Sequence, residues 1–241
     1  MSLAVYQDAA ENDDHASLAF SLSYDHTFVA FVYSKPVERP PVFDMFYGIP
    51  FQKSFIESSF GTQYGLANAF ASVLGDGPPL KKDIIAVSTK PDLSLYEEGF
   101  ERWLETFQDA RSKFECVMTF GIQPVTSNAI RRTNARGNPL NLEPESQQWY
   151  TSVIQWQDDE FDDLAHQAIH ASGGAIREIA ERKGKLLDFQ FINDATWDQS
   201  PISTYGKHNV ERLRDISRRY DPLQVFQKLQ GDGFLLRKIL V

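Results

Sequence analysis

The chain has 241 residues, 42% of them hydrophobic and 13% aromatic, ample for a packed core and too apolar for a globally disordered polypeptide. A formal net charge of -9 at pH 7 argues against a nucleic-acid partner, which needs a broad basic face. The pairs Arg131-Arg132 and Arg218-Arg219 sit among acidic neighbours and read as solvated surface. Cys116 is the only cysteine, so an intrachain disulfide is excluded and an oxidising compartment is not required. No apolar run reaches the ~18 residues that span a bilayer, and Met1 to Tyr6 lacks a basic-then-apolar leader. The expectation is a soluble, cytoplasmic protein.

In chain order, residues 18–34 read as a β-hairpin, two aromatic and β-branched runs around Asp25-His26. A Pro-rich passage (Lys35-Pro36 to Pro41) follows, and residues 61–73 suit a helix ended by Gly75-Asp76-Gly77-Pro78-Pro79. The run at 81–90 reads as a strand. Pro91-Asp92 opens a helix to about Lys113, with Phe100, Leu104 and Phe107 on one stripe. Residues 114–125 form a strand in which Cys116 is a small buried hydrophobe rather than a nucleophile. A long loop is expected at 126–148, a strand at 149–156, and a long helix at about 160–182, with Gly184 as its C-cap. A last strand, 186–193, and a helix at about 205–219 complete the pattern. Hairpin and helix-separated strands together predict an α+β fold: a largely antiparallel sheet with helices packed on one face, the other face left free for a site. A single domain over 1–241 is the economical organisation.

The C-terminal run from Phe191 through Asn193, Gln199-Ser200-Pro201, Tyr205-Gly206 and Tyr220-Asp221-Pro222-Leu223-Gln224-Val225-Phe226-Gln227 to Gly233-Phe234 resembles the C-terminal, substrate-binding region of fungal berberine-bridge-type, FAD-linked oxidoreductases. The upstream PVFDMFYGIP, GIQP and RGNPLNL segments, and the strand ending at Trp156, fit the same order. The resemblance covers nearly the whole chain and implies that the family's N-terminal FAD-binding domain is not part of it. Gly75/Gly77 and Gly173-Gly174 do not follow a strand and open a helix as a phosphate cradle should. The expectation is therefore no cofactor on this chain alone, or else FAD shared with a partner chain.

The resemblance places Asn193 near the flavin ring and puts Phe191 and Asp194 where the family usually carries tyrosines. Alternation then sets Phe189, Phe191 and Asn193 on one strand face. Thr119, Gly121 and Gln123 share a face of their strand, and Tyr150, Ser152, Ile154 and Trp156 share a face of theirs. If these sets point together they line an aromatic pocket; otherwise the aromatics are core beneath helices. Asp194, Asn193 and Gln123 are the candidate catalytic groups, and Phe191, Phe189, Thr119, Tyr150, Ser152, Ile154 and Trp156 the candidate substrate-binding ones. Asp194 is read either as a desolvated acid–base carboxyl or as a solvated turn residue. His166 and His170, four apart on a helix, have metal-ligand spacing, but no third ligand is apparent in the sequence and no metal is expected.

Two functions follow. One is a flavin-independent enzyme of secondary metabolism, performing a cyclisation, isomerisation or pericyclic step by positioning a polyketide-like or alkaloid-like small molecule. The other is the substrate half of an FAD-dependent oxidoreductase, completed by a partner chain or by homodimerisation through an apolar surface around Tyr220 to Phe226. An inactive truncated product is a third reading.

Overall fold

A computed structural model describes residues 2–74 and 80–239; the expected helix stop at 75–79 lies outside them. The hairpin forms as expected from β1 (Ala16–Leu22) and β2 (Thr27–Tyr33), and it is preceded by a helix, α1 (Ser2–Ala10). A short helix, α2 (Asp44–Tyr47), ends the Pro-rich passage, and α3 (Gln63–Leu74) follows. Next come β3 (Lys81–Thr89), the long α4 (Leu93–Lys113) and β4 (Val117–Val125). α4 starts because Asp92 caps it, its carboxylate accepting from the Leu95 amide at 2.9 Å.

The expected loop after β4 contains a helix, α5 (Ser127–Ala135), before β5 (Gln147–Trp156) begins. Thr126 caps α5 by accepting from the Ala129 amide. The second long helix, α6 (Asp162–Arg182), ends at Gly184, whose φ of +63° is the left-handed turn that favours glycine. The last strand is much shorter than its sequence suggests. β6 is only Leu186–Leu187, after which the chain leaves the sheet and makes a 3₁₀ turn at Ile192–Asp194. The strict alternation expected for Phe189, Phe191 and Asn193 is thus replaced by loop geometry. A 3₁₀ turn at Pro201–Tyr205, α7 (Lys207–Tyr220) and the short α8 (Val225–Leu229) close the order.

The six strands form one sheet in the order β2-β1-β4-β5-β3-β6, with every pair antiparallel. α4 and α6 pack on each other and on one face. Beneath them lie Ile85, Val87, Met118, Phe120, Ile122, Tyr150, Ile154 and Trp156, joined by Leu95, Trp103, Phe107, Ile169 and Ile176 from the helices. Gly173 permits close approach: a Cβ there would stand 2.5 Å from Ile85 Cδ1. α1 and α2 continue this layer over the hairpin, packing Tyr6, Phe43 and Phe46 around Leu18. The opposite face is covered at one end, where Ile130 of α5, Val210 of α7, Phe189 and Tyr205 gather with Val125 and Trp149. No helix among the described residues is long and apolar enough to cross a membrane.

Candidate functional site

Register decides which candidate residues meet. Gln123 is directly opposite Trp149, Gly121 opposite Thr151 and Thr119 opposite Val153. Cross-strand partners share a face, so Thr119 and Gln123 lie on the face away from α4 and α6. Tyr150, Ser152, Ile154 and Trp156 point the other way, into the core. Tyr150 and Ile154 are sealed there, and the Tyr150 hydroxyl is 2.6 Å from Ser172 Oγ on α6. Burial pushes the Tyr150 phenol up to about 12, which removes it from acid–base work near neutrality. The expected common pocket therefore divides into two sets on opposite faces. The alternation holds within β4 and β5, but alternation alone does not say which faces of different strands coincide.

The residue that sequence reasoning missed is Trp149. Its ring lies 4.9 Å from Phe189 and 4.8 Å from Phe191, centroid to centroid, and Phe189 continues the stack to Tyr205 at 6.3 Å. Trp149 Nε1 donates to Gln147 Oε1 at 2.9 Å, which fixes the indole's tilt. Alternation alone would have found it had the pairing of Gln123 been known.

Beside this aromatic wall, Gln123 Nε2 donates to Asp194 Oδ2 at 2.5 Å. The 3₁₀ turn holds the Asp194 backbone, its amide donating to Phe191 O at 3.0 Å. Asp194 is half-buried, and burial raises its carboxyl above the usual range, opposed only by the Gln123 hydrogen bond. It is a half-buried, hydrogen-bonded carboxyl within the 3₁₀ turn. Asn193, next to it, is exposed. Of the expected set, Gln123, Asp194, Asn193, Phe189 and Phe191 cluster at one end of this face, and Thr119 lies further along it.

The aromatic wall suits contact with a flat ring system, but this chain offers no fit for the pyrophosphate of FAD at its helical glycine pair. Gly173 is buried against Ile85 inside α6 rather than opening a helix towards a ligand. Cavities of about 180 and 220 Å³ lie nearby, the first touching the wall at Phe189. One is between α6 and the β3–β6 edge near His170 and Gly173, and the other is between α1 and the start of α4. Neither is lined by Gln123 or Asp194.

The antiparallel sheet with helices packed on it is a fold shared with berberine-bridge-type oxidase domains. Among solved structures, 6-hydroxy-D-nicotine oxidase from Arthrobacter nicotinovorans superposes with a TM-score of 0.64 at 12% identity, over 97% of this chain and 51% of that one. The Physcomitrella patens protein BBE-like 1 does so with a TM-score of 0.63 at 14% identity, over 97% and 50%. In sequence, the chain is similar to the C-terminal half of fungal FAD-dependent monooxygenases. One, from Arthrobotrys oligospora, is 30% identical over 238 residues, covering 97% of this chain and 45% of the relative. The bifunctional solanapyrone synthase of Alternaria solani is 27% identical over 243 residues, covering 98% and 45%. The chain thus spans a little under half the length of these curated relatives, and no family model matches it.

Proposed function

We propose that this chain is the substrate-facing domain of an FAD-linked oxidoreductase of secondary metabolism, with the flavin held by a separate domain or partner chain laid against the part-exposed Trp149–Phe191 end of this sheet face. The observation that carries this reading is the Gln123–Asp194 pair set beside the Trp149–Phe191 wall and outside both cavities. A site that acts alone encloses most of its ligand, and neither cavity encloses the Gln123–Asp194 pair. The FAD-dependent relatives support the same reading. A bound flavin would supply the two-electron acceptor. The residues of this chain have other tasks: Trp149 and Phe191, backed by the buried Phe189, offer an apolar surface for a planar substrate, Asp194 holds or accepts a proton at its carboxyl, Gln123 fixes that carboxyl's orientation, and Asn193 presents an amide. One relative's name, solanapyrone synthase, supports a small-molecule substrate, and the polyketide-like or alkaloid-like class is the one proposed. The apolar ridge of Tyr220, Leu223, Phe226 and Leu229, with Tyr220 76% and Phe226 74% exposed, is the proposed contact for the completing domain or for a second copy.

A second reading, a flavin-independent cyclisation, isomerisation or pericyclic step, is favoured by one observation: the desolvated Asp194 carboxyl needs no flavin to act as an acid or base. An absorbance spectrum after incubation with FAD and removal of the excess tests the first reading. The chain alone is expected to stay colourless, and to become yellow when produced together with the FAD-binding half of a relative. Near-equimolar flavin retained by the chain alone overturns the divided site. Turnover of a metabolite by the colourless chain, abolished by Asp194→Asn, supports the second reading instead.

A further inference from the structure

We infer that His166, His170 and Asp198 form a binding site for a divalent transition metal, zinc in the first instance. His166 and His170 lie one turn apart on α6, and the ligand the sequence did not reveal comes from the loop between the two 3₁₀ turns, far along the chain. One donor atom from each of the three residues can be chosen so that all lie within 4.8 Å of one another. His170 Nε2 is 3.2 Å and His166 Nε2 3.5 Å from Asp198 Oδ2. Donors bound to a tetrahedral zinc at 2.0–2.1 Å stand about 3.3 Å apart, so both distances already match an occupied site.

The surroundings are those of a prepared ligand set. His166 Nδ1 is 2.6 Å from Asp83 Oδ2, and the other oxygen of Asp83 accepts from Thr196 Oγ1 at 2.7 Å. A carboxylate behind the ring keeps its proton on Nδ1 and turns the Nε2 lone pair forward, the outer arrangement that orients metal-binding histidines. His170 supplies a second, independent sign: its Nε2 is buried and has no hydrogen-bond partner, although an Asp198 oxygen stands 3.2 Å away. Two imidazole nitrogens and a carboxylate converge, and a cation between them satisfies all three. Trp197 stacks on His166 at 5.2 Å and screens one side, while the partial exposure of His170 and Asp198 leaves an approach for the ion and for a water as fourth ligand. Two nitrogens and one oxygen suit zinc or cobalt; magnesium and calcium prefer all-oxygen shells.

The ion would fasten residues 195–200 to α6. That loop is already tied to the β3 edge by Gln199, whose amide donates to Ala86 O at 2.8 Å and accepts from Ala86 N at 3.0 Å. Since the loop starts directly after Asp194, metal loading would also steady the candidate carboxyl.

Chelator-treated protein titrated with zinc sulfate in a calorimeter tests the inference, with cobalt(II) absorbance as a second readout. One ion per chain is expected. His170→Ala and Asp198→Asn should each weaken binding at least tenfold, and Asp83→Asn by about 10- to 100-fold through the ring it orients. Zinc should raise the Tm of the wild type but not of His170→Ala, with circular dichroism confirming that each variant is folded. His15→Ala, remote in the hairpin region, should bind as the wild type does. Zinc binding that is absent, or equal in wild type and the His166→Ala/His170→Ala double variant, overturns the site. Loss of binding in His15→Ala with the α6 variants unaffected overturns it as well.

Discussion

The two faces of the sheet are built from the same strands and solve different problems. Towards α4 and α6, Trp103, Met118, Phe120, Tyr150 and Ile154 are almost wholly removed from water. On the other side, Trp149 is half-buried, Gln123 spends its amide on Asp194, and only one end is covered by α5, α7 and the C-terminal turns. The comparison teaches that the α4–α6 layer carries stability, and that the large aromatic on the other face is only partly covered.

The comparison breaks if the two tryptophans cost the same to remove. Trp103→Ala should destabilise by about 3–5 kcal/mol, the range for a large buried side chain, and Trp149→Ala by only about 1–2 kcal/mol. Urea titration of both variants measures the difference. Equal losses would mean that the second face is as structural as the first.

Two adjacent glycines of α6 sharpen it on a smaller scale. Gly173→Val must displace Ile85 and should cost about 1–3 kcal/mol through overpacking. At Gly174 an added Cβ meets nothing within 4 Å, so Gly174→Ala should be neutral or stabilise by up to about 1 kcal/mol through helix propensity. Tm values of the pair decide whether the helix-to-sheet contact is as close as it is drawn. Below that, Tyr150→Phe strips Ser172 of its buried partner and should cost about 1 kcal/mol.

Much of this fold is legible in the sequence, for reasons visible at single residues. The hairpin, β3 to β5 and both long helices follow from period and capping, as at Asp92 and Gly184. α5 is hidden because SNAIRRTNA is polar on most of its surface and only Ser127 and Ile130 are buried. The shortened last strand is hidden because LLDFQFIN has strand chemistry throughout, and tertiary contacts of Phe189 and Phe191 with Trp149 override it. The site is half legible on the same grounds. Asp194, Gln123, Phe189 and Phe191 stand together, whereas Tyr150, Ser152, Ile154 and Trp156 face the core, and alternation cannot tell one face from the other until strands are paired. Asp198 was beyond reach for another reason: only the folded loop brings it to His166 and His170.

The smallest effect concerns two carboxyls with opposite signs. Burial raises Asp194, so its contribution to stability is present below the unfolded carboxylate range and is lost as pH rises through its folded value. Glu11 behaves inversely. Burial would raise it, but hydrogen bonds from the Ser127 side chain and amide and from Ser146 outweigh that and leave it low. Its contribution is present above the unfolded value and is lost as pH falls through the folded one. Asp194→Asn should therefore raise the Tm at pH 7, with the gain shrinking towards about pH 4, where carboxyls begin to protonate in the unfolded chain. Glu11→Gln should lower the Tm at pH 7, with the loss shrinking in the same direction. Melting curves of the two variants across that range read both signs at once. If Asp194→Asn destabilises at pH 7, the carboxylate is favoured where it stands, and the desolvated proton-holding role assigned to it fails.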